Sequence, residues 1–122
     1  MHCILHEQGI GDTIHFIRFL RYLNAFNPCK ILFRGQKELK SLLKINDIGA
    51  EIIDSSINDS DLKFDMYLPL LSLPYRLNLK PDSANMPDKY LKADVGKVIE
   101  YKEKFFSNDK FKIGIFWQGS PG

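Results

Sequence analysis

Short apolar runs alternate along this chain with stretches of helical periodicity. Cys3-Ile4-Leu5 is an apolar triplet that runs into a turn over residues 7–11, and a run this short, bounded by glycine, predicts a buried strand. Phe16, Ile17, Leu20 and Leu23 then recur at helical spacing with Arg18, Arg21 and Asn24 interleaved, which predicts an amphipathic helix ended by Asn27-Pro28. Residues 30–34 read as a second strand, with Gly35 as the break after it. Leu39, Leu42 and Leu43 form the stripe of a second helix, closed by Asn46-Asp47. Residues 50–54 predict a third strand, 55–63 a polar loop and 64–68 a fourth strand. Residues 70–77 predict a short helix interrupted by Pro74, and 80–88 a proline-containing surface loop. Asp94 is placed to cap a helix carrying Val95, Val98, Ile99, Lys102 and Phe105-Phe106. Residues 111–117 predict a strongly apolar strand, and they feed Gln118-Gly119-Ser120-Pro121-Gly122.

Strand and helix in alternation require crossover connections. The expected fold is therefore α/β: a Rossmann-like three-layer α/β/α domain around a mostly parallel sheet, occupying residues 1–122 as one domain. In such sheets ligands meet the loops at the carboxyl ends of the strands. Two loops of that kind stand out, at 7–12 and 118–122. The second delivers an apolar strand to the last residue of the chain, so the expectation is the front part of something larger.

Composition adds exclusions. Seventeen basic and fifteen acidic side chains leave a net charge of +2, scattered along the chain, which gives no footprint for nucleic acid or a membrane surface. The most apolar stretch, residues 67–75, is short and contains Pro69 and Pro74, so no transmembrane segment is expected. Cys3 and Cys29 lack metal-ligand spacing. Two thiols in 122 residues point to a reducing, cytoplasmic setting in preference to a disulfide.

The turn at 7–12 carries the candidate chemistry. A dinucleotide fingerprint needs Gly-x-Gly-x-x-Gly, followed by an acidic residue at the end of the second strand. Here Gly9 and Gly11 supply two glycines, Ile14 stands in the third position, and the second strand ends in Arg34. An arginine there can meet a 2′-phosphate, which keeps NADP as a weaker alternative. Asp12 has two readings that do not exclude each other. Its carboxylate lies at the positive end of a helix dipole and can serve as a general base for a proton within hydrogen-bond reach. It can equally cap the helix by accepting from the backbone N–H groups of Thr13, Ile14 and His15.

The stretch Glu-Gln-Gly-Ile-Gly-Asp-Thr-Ile-His-Phe, residues 7–16, resembles the opening of a bacterial glycosyltransferase-like domain often found behind tetratricopeptide repeats. That group is similar to glycosyltransferase family 9, the ADP-heptose:lipopolysaccharide heptosyltransferases. "FDMYLPLLSLPYRL", "MPDKYLKAD" and "IGIFWQGSPG" continue the likeness in the right order over nearly the whole chain. The resemblance implies a GT-B architecture of two Rossmann-like domains facing across a cleft. This chain would be the N-terminal, acceptor-side half, without the nucleotide-sugar-binding half and inactive by itself. It implies inverting transfer with no cofactor and no bound metal. In that reaction Asp12 is the catalytic base, and Glu7, Gln8, Gly9, Gly11, Thr13, Trp117, Gln118, Gly119 and Ser120 meet the acceptor or the donor's phosphates. The implied partners are a nucleotide-sugar donor and a sugar, protein-linked or lipid-linked acceptor. His6 occupies the variable position before Glu7-Gln8, and His15 stands where the group often has glutamine. Met1 falls where relatives carry an upstream segment, which reads as an abbreviated gene product.

Two rivals remain at this point. One is an NADP-dependent oxidoreductase domain, opposed by the incomplete fingerprint. The other is a non-catalytic interaction module derived from a transferase half, self-associating through an exposed apolar cleft face.

Overall fold

The computed structural model describes residues 1–7, 9–26, 28–54, 56–80, 89–117 and 119. Two compact units divide the chain, Met1–Lys92 and Ala93–Gly122. In the first, strands β1 (His2–Leu5), β2 (Ile31–Arg34), β3 (Glu51–Ile52) and β4 (Met66–Pro69) form one sheet in the order β3-β2-β1-β4. Every pairing is parallel: Cys3 lies between Leu32 and Tyr67, and Leu5 between Arg34 and Pro69. This is the expected α/β, Rossmann-like arrangement.

Alternation along the strands sends side chains to two faces that are covered differently. Ile4, Ile31 and Phe33 point to a face packed by helices α1 (Ile10–Phe16), α2 (Leu20–Phe26), α3 (Lys40–Lys44) and α4 (Leu73–Arg76) and by the 3-10 turns that lead into α2, α3 and α4; Ile17, Leu20, Leu39, Leu43, Leu70 and Leu73 join them in one buried cluster. Cys3, Leu32 and Ile53 form a smaller cluster on the opposite face with Met1, Leu5 and Leu62. That face is covered by the connection from β3 to β4, whose described residues form a 3-10 turn at Asp59–Asp61.

The differences from expectation have local causes. The first helix is broken by a 3-10 turn at Ile17–Phe19, whose tighter winding sets Ile17 and Leu20 in line and buries both. Strand β3 lies at a sheet edge and is short, although Ile53 N–H still donates to Phe33 O at 2.9 Å. Strand β4 starts later than predicted, because Asp65 N–H is taken by Met1 O at 2.9 Å and the ladder opens with His2 beside Met66. Pro74 does not interrupt α4 as expected: it occupies the helix's first turn, where a missing N–H costs nothing.

Gly35 is required by packing. A methyl group there would stand 2.7 Å from Cε1 and 3.2 Å from Cζ of the buried Phe33 ring. Gly35→Ala is expected to cost about 1–3 kcal/mol in chemical denaturation. The loss should shrink in a Phe33→Leu background, where the ring that is struck has gone.

Lys40 at the start of α3 forms an ion pair with Asp54 just beyond β3. The hydrogen bond from Lys40 comes first, then those from the backbone and hydroxyl of Ser56, and together they hold the Asp54 carboxyl far below the usual carboxylate range. A depressed folded-state pKa stabilises the fold above the ordinary carboxyl range and withdraws that contribution as pH falls through it toward the folded value. Denaturation midpoints should therefore fall on acidification below about pH 4, and less steeply in Asp54→Asn. Equal slopes in the two proteins would dissociate the pair from stability.

In the second unit, α5 (Val95–Phe105) starts as predicted, with Asp94 Oδ1 accepting from Lys97 N–H at 2.9 Å. The strand predicted over residues 111–117 is not formed. Strand hydrogen bonds come from a neighbour, and the described residues of this unit contain no strand to supply them. Phe111, Phe116 and Trp117 remain exposed.

Candidate functional site

The strand order reverses beside β1: the chain runs outward through β2 and β3, then returns to place β4 on the other side. Open parallel sheets bind ligands outside the carboxyl ends of the strands at such a switch point. Residues 6–12 follow β1 there, and the 3-10 turn Leu70–Ser72 follows β4. Glu7 bridges the two, its Oε2 accepting from Leu71 N–H at 3.2 Å. Of the two roles open to Glu7, contact with an acceptor hydroxyl or pinning the turn, this bond serves the second.

Helix α1 starts at Ile10, so Gly9 is the N-cap and Asp12 the third helical residue. Asp12 Oδ2 reaches back to accept from Gly9 N–H at 3.1 Å, and Thr13 N–H donates to Gly9 O at 3.1 Å. The sequence expectation that Asp12 itself caps Thr13, Ile14 and His15 is thus corrected. A cap lies outside the helix, and Asp12 lies inside its first turn. The carboxylate remains exposed, and its Oδ1 has no partner among the described residues.

Among the described residues, no atom demands either glycine of the turn. Gly9 has an ordinary extended backbone, with φ −64° and ψ 170°. A methyl group on it would meet Asp12 Oδ2 at a comfortable 3.6 Å, and one on Gly11 would meet nothing within 4 Å. Both are exposed, which leaves open space above the backbone at the switch point.

The other predicted site residues divide. Thr13 is fully buried, and its hydroxyl has no hydrogen-bond partner among the described residues, so it sits beneath the surface and does not line it. His15 is exposed and lies against Phe16, ring centroids 5.2 Å apart. Gln8, Gln118 and Ser120 lie outside the described residues. Trp117 and Gly119 belong to the second unit. Trp117 is exposed, and a methyl group on Gly119 would meet nothing within 4 Å among the described residues. Because residues 111–117 form no strand, these two do not stand at a strand's carboxyl end as expected.

Sequence reasoning missed the brace behind the turn. Tyr90 donates its hydroxyl to Ile14 O, and the Arg18 guanidinium lies 4.3 Å from the centre of the Tyr90 ring. Asn46 holds the adjoining backbone, accepting from Lys92 N–H at 2.8 Å and donating to Lys92 O at 3.0 Å. The signal available was Tyr90 inside "MPDKYLKAD", a segment whose partner lies too far along the chain to be read from spacing. Among the described residues no helix is long and apolar enough to cross a membrane. Comparison with protein-family models, with curated proteins and with solved structures returned no match.

Proposed function

We propose that this chain is the acceptor-side half of an inverting glycosyltransferase of GT-B type, similar to the heptosyltransferases. The observation that carries the reading is Asp12, an exposed carboxylate anchored by one oxygen in the first turn of α1, beside the switch point and next to two glycines that none of the described residues crowds. In the proposed reaction Asp12 takes the proton of an acceptor hydroxyl, and that oxygen attacks the anomeric carbon of a nucleotide-activated sugar. The carbon–oxygen bond to the diphosphate breaks, and the nucleoside diphosphate leaves with the electron pair, inverting the centre. The capping bond suits a base, because one oxygen fixes the carboxylate while the other faces outward. Open space over Gly9 and Gly11 suits close approach by a hydroxyl-rich ligand. Trp117 and Gly119 belong to the reading through the sequence resemblance, as donor-side contacts.

The test is an NMR titration of the chain with NADP, ADP, UDP and their sugar conjugates, following the amides of Gly9, Gly11 and Gly119. Weak or absent binding of every free nucleotide, with acceptor-like saccharides perturbing Gly9 and Gly11, is the expected result. Tight NADP binding centred on Gly9 and Gly11 would overturn the transferase reading in favour of an oxidoreductase.

A further inference from the structure

The amino ends of the strands carry a second cluster of reactive groups, at the pole of the sheet away from the turn at 7–12. His2 opens β1, and its backbone N–H donates to Lys30 O at 2.9 Å, which brings Cys29, just ahead of β2, alongside it. Strand alternation sends the His2 side chain to the face of Ile4, and there its ring Nδ1 lies in hydrogen-bond contact with Cys29 Sγ. Both residues are half-buried. Cys29 packs against the main core, while its neighbours Pro28 and Lys30 are exposed, so it keeps partial access to solvent. Cys3 contrasts with it: it is 1% exposed, on the opposite face of the sheet, in the cluster with Leu32 and Ile53. The third group is Asp65, an exposed carboxylate just ahead of β4. The Met1 ammonium first, and then the charge of His2, hold its carboxyl below the usual carboxylate range. A charged imidazole at His2 therefore has a carboxylate within electrostatic reach.

A thiol held against an imidazole is the arrangement that makes a cysteine a nucleophile: the ring takes the sulfur's proton, and the thiolate is the reacting species. We infer that Cys29 is a modification site, at which the thiol exchanges with a low-molecular-weight disulfide and His2 serves as its base. In the exchange His2 accepts the Cys29 proton, and Sγ attacks one sulfur of the disulfide. A bond forms between Sγ and that sulfur, and the original S–S bond breaks. The second sulfur leaves as a thiolate with the electron pair and takes up the proton. Cys29 is thereby oxidised to a mixed disulfide, one small thiol is released, and an excess of small thiol reverses the step. Because Cys3 faces the other side of the sheet, it does not resolve the adduct into an internal disulfide. The inference makes no use of Asp12 and stands or falls apart from the transfer reading.

The test treats the chain at about pH 7 with glutathione disulfide and, in parallel, with iodoacetamide, and peptide mass spectrometry follows Cys29 and Cys3 separately. The chain unfolded in urea supplies the reference rate for each thiol without its surroundings. Native Cys29 is expected to react about tenfold faster than the same cysteine in the unfolded chain, although folding half-buries it. Cys3 is expected to be protected in the native chain and to react only on unfolding. His2→Gln is expected to bring the native Cys29 rate down to the unfolded value or below it, with the denaturation midpoint showing that the variant is folded. Excess dithiothreitol should remove the glutathione adduct and leave the acetamide adduct in place. Native Cys29 reacting no faster than in the unfolded chain, an unchanged rate in His2→Gln, or an adduct forming first at Cys3 in the native chain would each overturn the assignment.

Discussion

If the proposed sugar transfer is the reaction, replacing Asp12 by asparagine is expected to slow it by about 10²–10⁴-fold, the usual contribution of a positioned general base. The loss should fall on kcat with KM little changed, because a base acts on the transition state more than on bound substrate. The substitution is informative because asparagine keeps a carbonyl oxygen that can still accept from Gly9 N–H, the bond at 3.1 Å that anchors the side chain. Helix α1 therefore keeps its start, and the denaturation midpoint should hardly move. Asp12→Ala removes both functions and is expected to add about 0.5–1 kcal/mol of lost stability to the same kinetic defect. A kcat within about tenfold of wild type in Asp12→Asn would sink Asp12 as the base and leave it a purely structural residue.

The largest expected loss of stability is at Phe33. Its side chain is completely buried in the inner strand β2, within the cluster that joins the sheet to α2, α3 and α4. Phe33→Ala removes a ring and leaves a cavity whose neighbours, Leu43 and Gly35 among them, belong to elements held elsewhere and relax only in part. Such a change costs about 3–5 kcal/mol. Against a total of about 5–15 kcal/mol for a domain of ordinary stability, that loss brings unfolding close to ambient conditions. Equilibrium denaturation in urea or guanidinium measures it. A change below about 1.5 kcal/mol would mean that the ring contributes little to the core. Phe33→Leu should lose less, since leucine refills part of the volume.

The four strands were legible in the sequence for a simple reason. Strands buried on both faces need apolar side chains in consecutive positions, and Cys3-Ile4-Leu5 and Ile31-Leu32-Phe33 supply them within a few residues of chain. The Asp94 cap was legible because its bond spans one helical turn. The turn at 7–12 was legible as a site through its glycines, but the division of labour within it was not. Whether Gly9 or Asp12 is the cap depends on where the first helical hydrogen bond closes, and composition does not show that. Residues 111–117 show the opposite limit: an apolar, β-branched run states a preference for extended backbone, and a strand needs a neighbour as well.

What the sequence determined by itself is local: which short runs are buried, where helices can start, and that Asp12 follows two glycines. What only the tertiary structure decided is which distant groups meet. The chain order alone does not say that β4 returns to the far side of β1, setting Glu7 against Leu71 and placing the turn at a switch point. Nor does it say that Tyr90 reaches Ile14 and Arg18, or that His2 and Cys29 meet at the amino ends of two strands. Side-chain periodicity reports the immediate neighbourhood of each residue, whereas these contacts are set by strand order and register, which the packing of the whole unit selects.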